Sequence, residues 1–157
     1  MKKVYLAGGI SDTDRKLAQK KTAQKIREMG FEVYSASEND SINDKSNNPT
    51  PRDIYKADID RVKEVDLFIV RISGGNEDGT LSEIGMVSGW NEMDKELSYG
   101  IPIKIIAYTT NERMMTPQFW HGIASGGINH LVAGMIDTWG VFVGGEEEMF
   151  KYIEEEI

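Results

Sequence analysis

Four carboxylates draw attention by their setting in the sequence: Asp58, Glu77, Asp78 and Glu83. Glu83 closes the run Thr80-Leu81-Ser82-Glu83 at the expected start of a helix. Asp58 lies four residues after Ile54 and four before Val62, inside the apolar stripe of another expected helix. A carboxylate on an apolar stripe must be hydrogen-bonded, paired or turned into a cavity. There its pKa rises and it can hold a proton, whereas the dipole of a first helical turn would keep Glu83 ionised. Two carboxyl groups pushed in opposite directions can divide a reaction between a nucleophile and a general acid. Both residues also have a purely structural reading: Thr80 and Glu83 have the form of a capping box, and Asp58 could sit at the wet edge of a broad stripe.

The other reactive residue types narrow the chemistry. There is no cysteine, which excludes disulfides, thiolate metal sites and a thiol nucleophile. The only histidines, His121 and His130, have no partner at metal-ligand spacing and read as loop and helix-surface residues, so no metal site is expected, and chemistry carried by the carboxylates requires neither a metal nor a redox cofactor. Gly8-Gly9-Ile10-Ser11-Asp12 lacks the third glycine of a dinucleotide-binding turn. With Arg15 it could form a small phosphate-binding turn, although Asp12 and Asp14 would repel a phosphate there. Twenty-six acidic against eighteen basic residues give a net charge of −8 with no basic patch, so neither a nucleic-acid polymer nor an anionic membrane is an expected partner. Lys2-Lys3 before Val4–Ala7 opens like a signal peptide, but the apolar run stops at Gly8-Gly9, and no segment is apolar for long enough to span a membrane. A cytoplasmic location is the expectation.

These residues must be positioned by the elements around them. Residues 4–7 predict a strand, followed by a glycine turn and a helix over 12–29 with Leu17, Ala18, Ile26 and Met29 at helical spacing. Phe31 to Tyr34 predicts a second strand, and 35–50 an exposed polar loop. Thr50-Pro51-Arg52-Asp53 is a helix start, with a capping hydroxyl, proline at the first position and a carboxylate in the first turn. The apolar run 66–72 predicts a central strand buried on both faces. A loop over 74–79, a helix over 80–98 and a strand over 101–108 follow. Residues 109–128 read as irregular, 129–138 as helix, 141–143 as a last strand, and 146–157 as a helix with Met149, Ile153 and Ile157 inward and two glutamate triplets in solvent. With 157 residues, 39% of them hydrophobic and 28% charged, the chain is expected to form one α/β domain over 1–157. That domain would be doubly wound and flavodoxin-like, with a mostly parallel five-stranded sheet and ligands at the carboxyl ends of its strands.

Four segments, in order and on these elements, resemble the nucleoside 2-deoxyribosyltransferase family. They are Val4-Tyr5-Leu6-Ala7-Gly8; Ala57-Asp58-Ile59 with Asp66-Leu67-Phe68-Ile69; Asp78-Gly79-Thr80-Leu81-Ser82-Glu83-Ile84-Gly85; and Asn129-His130-Leu131-Val132-Ala133-Gly134 with Trp139-Gly140. The resemblance implies that Glu83 is the nucleophile at the anomeric carbon, that Tyr5 orients it, and that Asp58 with Glu77 or Asp78 contacts base and sugar and manages the proton. Gly8 would line the substrate site. Asn129 would bind the 5′-hydroxyl from a neighbouring subunit, with Leu131 standing where a methionine is common. It further implies a deoxynucleoside donor, a free nucleobase acceptor and a homo-oligomer with shared sites. Cleaving an N-glycosidic bond needs a carboxylate below the sugar and an acid above it, the division of labour of retaining glycosidases. Two alternatives remain: a 5′-nucleotide N-glycosidase, in which water takes the sugar, and a nucleoside-binding module without turnover.

Overall fold

The structure, a computed structural model, describes residues 1–74, 77–97, 100–115, 119–120, 123–124 and 127–157. Strand β1 (Lys3–Gly8) leads through helix α1 (Thr13–Glu28) to β2 (Glu32–Ser35). Two 3-10 turns and the short helix α2 (Asp40–Asn43) then reach α3 (Pro51–Val62), β3 (Leu67–Arg71), α4 (Asp78–Leu97) and β4 (Lys104–Tyr108). The short helix α5 (Glu112–Met115) and an antiparallel pair, β5 (Phe119–Trp120) and β6 (Ile123–Ala124), precede α6 (His130–Trp139), β7 (Gly140–Phe142) and α7 (Glu146–Glu156).

The main sheet has the order β2-β1-β3-β4-β7 and every pairing in it is parallel. All five residues of β3 are buried, as a central parallel strand requires. Strand alternation divides the core in two. Val4, Leu6, Ile69, Ile106 and Tyr108 pack against Ala23, Ile26, Met149, Phe150 and Ile153 on one face, and Tyr5, Ala7, Phe68, Val70 and Ile105 pack against Val62, Ile84, Val87 and Ile136 on the other. Tyr5 therefore points toward the layer that holds α3 and α4. This is the register condition for any contact with Glu83.

The structure departs from the sequence reading in several places, among them the stretch 109–128, read as irregular, which carries α5 and the β5–β6 pair. Leu17 and Ala18 are exposed, and α1 instead buries Gln19, Thr22, Ala23 and Ile26, because the Gln19 amide donates to the Leu6 carbonyl at 2.8 Å and so turns that side inward. Residues 36–47 are not a simple loop but three short helical turns, with Ser37 buried. Helix α4 starts at Asp78, two residues early, with the Leu81 N–H bonded to the Glu77 carbonyl. Strand β4 starts only at Lys104. Glu146 is not fully solvated, since it accepts from Thr22 Oγ1 at 2.5 Å. The helix start at Thr50 is as expected: Thr50 and Asp53 form a reciprocal capping box, with Pro51 at the first position.

Candidate active site

A cavity of about 810 Å³ opens at the carboxyl ends of β1, β2 and β3, where a doubly wound sheet binds ligands. Gly8, Tyr55, Asp58, Glu77, Asp78 and Glu83 are among its lining residues. Gly8 has a φ of +157°, which L side chains rarely adopt, and a Cβ on it would lie a tight 3.2 Å from the Arg71 Cβ. Arg71 is itself buried and donates from Nη2 to the Gly9 carbonyl at 2.8 Å, which pins the turn after β1.

The Tyr5 hydroxyl donates to Glu83 Oε1 at 2.7 Å, joining β1 to the second turn of α4. Tyr5 is fully buried, stacked on Phe68 at 5.6 Å between ring centroids and tilted against Tyr34 at 5.1 Å. Burial and the carboxylates of Glu83 and Asp58 push the Tyr5 phenol far above its usual range, so it remains a hydrogen-bond donor. Glu83 is pushed up to about 7, chiefly by burial and further by the charge of Asp58, against the lowering effect of the Tyr5 hydrogen bond. Asp58, half-buried on α3, is also pushed up by burial, opposed by the nearby hydroxyls of Tyr34 and Tyr5. The Tyr34 hydroxyl lies 3.4 Å from Asp58 Oδ1.

These facts correct two expectations. Thr80 and Glu83 form no capping box, because Thr80 is the third residue of α4 and the Glu83 carboxylate is engaged by Tyr5. Nor does the helix dipole hold Glu83 ionised: it is the sixth residue of the helix, beyond the turn where the dipole acts, and desolvation dominates. The two acidic neighbours at the start of α4 also separate. Glu77 is buried and accepts from the Ser73 N–H at 2.6 Å, the Ser73 hydroxyl at 2.5 Å and the Gly74 N–H at 3.1 Å, which ties down the loop after β3. Asp78 is exposed and accepts from the Gly79 N–H at 3.1 Å.

Asn129 and Leu131 do not line the cavity within this chain. Asn129 caps α6, accepting from the Leu131 N–H at 2.9 Å, and Leu131 is 69% exposed. Of the turn that could bind a phosphate, Gly8 to Ser11 line the cavity, but Arg15 pairs with Asp12 at 3.1 Å and is not among the cavity residues. His130 is exposed at the first position of α6, and His121 lies outside the described residues. Among the described residues no three His, Asp or Glu side chains converge as a metal site requires, and no helix is long and apolar enough to cross a membrane.

A family model for nucleoside 2-deoxyribosyltransferases matches residues 4–151. The chain belongs to this family. Its fold agrees with that of solved structures. A conserved protein from Enterococcus faecalis V583 is 23% identical with a TM-score of 0.78, covering 100% of this chain and 99% of that one. A 2-deoxyribosyltransferase from Leishmania mexicana is 16% identical with a TM-score of 0.62, and each chain is covered in full, 100% and 100%. A third, a 2-deoxyribosyltransferase from the psychrotolerant bacterium Bacillus psychrosaccharolyticus, is 16% identical with a TM-score of 0.53, covering 83% of this chain and 79% of that one. Comparison with curated proteins gave no match.

Next to the cavity, sequence reasoning missed Tyr34, which contacts Asp58, and Asn39, which contacts Tyr34. Asn39 Nδ2 donates to the Tyr34 hydroxyl at 3.1 Å. What sets Tyr34 beside Tyr5 on the same face is the parallel register, which only the tertiary structure decides. Asn39 carried no signal, because it lies in the polar stretch that reads as loop.

Proposed function

We propose that the protein transfers 2-deoxyribose between nucleobases by double displacement through an ester on Glu83. The observation that carries this reading is the 2.7 Å hydrogen bond from a buried Tyr5 to a Glu83 carboxylate that faces, together with Asp58, one open cavity. Tyr5 occupies one oxygen of Glu83 and so fixes the direction of the other. That oxygen attacks the anomeric carbon as the bond to the base breaks, and the electron pair leaves with the base nitrogen, which takes the proton held by Asp58. An incoming base then attacks the same carbon, the ester bond breaks to restore the Glu83 carboxylate, and the acceptor's proton returns to Asp58. The reactive state of the pair carries one proton, on Asp58, with Glu83 ionised. Burial raises both carboxyls and the charge of Asp58 adds to the rise at Glu83, so near neutral pH the one proton is held mainly on Glu83 and passes to Asp58 in the reactive form. Glu77 is committed to the loop after β3, which leaves Asp78 as the acidic residue available for the sugar or base. Asn129 and Leu131 complete the site from a neighbouring subunit of a homo-oligomer.

The test is incubation of the protein with a deoxynucleoside, with and without a free base, followed by separation of products. New nucleoside formed faster than free sugar, with parallel double-reciprocal lines over a grid of donor and acceptor concentrations, is the expected outcome. A site shaped to stack and hydrogen-bond the departing base positions an incoming base equally well, whereas water has no such positioning. Free sugar released at a rate indifferent to acceptor would instead identify an N-glycosidase, and binding without turnover a nucleoside-binding module.

A further inference from the structure

Tyr5 and Tyr34 are register partners on adjacent parallel strands, their ring centroids 5.1 Å apart, and each directs its hydroxyl to a different carboxylate of the site. We propose that Tyr34 is a positioning residue for Asp58, as Tyr5 is for Glu83, with Asn39 as the group that aims its hydroxyl. The inference rests on the reading above in giving Asp58 the proton of the reaction.

A phenol has one proton to donate and a lone pair to accept with. Ser41 Oγ donates to Asn39 Oδ1 at 2.5 Å, so the Asn39 oxygen is engaged and its Nδ2 faces Tyr34. Nδ2 donates to the Tyr34 oxygen at 3.1 Å, which leaves the single Tyr34 proton for Asp58 Oδ1. At 3.4 Å this last bond is longer than the usual hydroxyl–oxygen distance, in keeping with catalytic hydrogen bonds that tighten only when substrate is bound. The chain Ser41–Asn39–Tyr34–Asp58 thus runs from the helical turns after β2 to the cavity. Tyr5 from β1, Glu83 from α4 and Tyr34 from β2 act on Asp58, while Arg61, one turn later on α3, lies 5.7 Å from the centre of the Tyr34 ring. Tyr34 is raised above the usual phenol range by burial, so it stays a donor.

The experiment compares Tyr34→Phe and Asn39→Ala with the unaltered protein by two readouts. The first is direct titration of the Asp58 carboxyl by NMR, which needs no turnover. Losing a donor to the charged form should raise its midpoint by about half a pH unit in Tyr34→Phe, and by less in Asn39→Ala, where the hydroxyl remains but is no longer aimed. The second is steady-state transfer, where kcat should fall about fivefold with little change in KM and the acidic limb of the pH profile should move up. Should the unaltered protein turn over no nucleoside, the functional reading fails while the NMR comparison still decides the contact. An Asp58 midpoint unmoved in both variants overturns the proposal, and so does an unchanged kcat and pH profile in folded Tyr34→Phe.

Discussion

Glu83 concentrates the tension between stability and function in one side chain. Its ordinary value of 4.5 moves to about 7 in the folded protein. A carboxyl raised on folding contributes stability that is fully present below 4.5 and is lost as pH rises through about 7. At about 1.4 kcal/mol per pH unit, ionising it costs the folded state at most about 3.5 kcal/mol by pH 8. Glu83→Gln keeps an oxygen for the Tyr5 hydroxyl but never ionises. It should unfold in urea with a stability about 2 kcal/mol above that of the unaltered protein at pH 8, equal to it at pH 4, and show no turnover at either. Loss of stability with normal activity in the folded fraction would mean that Glu83 only supports α4. The pH profile tests its relation to Asp58. A pair sharing one proton loses its active form when that proton leaves, so kcat/KM should fall as pH rises through about 7 and fall again at low pH. In Asp58→Asn the alkaline limb should vanish and the rate should rise with the ionisation of Glu83, at a lower maximum.

The elements hold these groups to tolerances that two substitutions can measure. Helix α3 carries Asp58 into the cavity from a start fixed by the Thr50–Asp53 capping box, where Thr50→Ala should cost about 1 kcal/mol in chemical denaturation. A loss confined to stability would mean the helix reforms in place; an accompanying fall in kcat would mean that its start also sets the position of Asp58. At the far edge of the sheet, β7 pairs with β4 through Gly140 and Ile105, and a Cβ on Gly140 would lie 1.7 Å from the Ile105 carbonyl oxygen. Backbone cannot yield as a flexible side chain does. Gly140→Ala should therefore destabilise the protein by about 3 kcal/mol or more. A urea midpoint within error of the unaltered protein would show that β7 can be displaced without loss.

At the scale of the whole molecule, the proposed sharing of the site between subunits can be tested. Asn129 and Leu131 are exposed at the start of α6 and absent from the cavity of their own chain. If a neighbour supplies them, mixing Glu83→Ala subunits with Asn129→Ser subunits should restore activity through hybrid sites; serine keeps the capping oxygen of α6. Full activity from a monomer in sedimentation would refute shared sites. Much of this molecule is legible in its sequence. The short apolar run of β1, the nearly continuous apolar run of β3 and the punctuation at Gly8-Gly9, Gly30 and Thr50-Pro51 are local signals, and they suffice for the parallel sheet and the cavity end. The spacing of Asp58 between Ile54 and Val62 likewise marks a carboxylate that needs a cavity. What sequence could not decide is which group each polar side chain meets. That Glu83 turns to Tyr5 and not back to Thr80, that Glu77 serves the loop while Asp78 does not, and that Asn39 reaches Tyr34 depend on strand register and on where α4 begins. The same is true of the charge on Glu83. A sequence places it in a helix, but only packing shows how little water surrounds it, and desolvation outweighs the dipole once the carboxyl is buried.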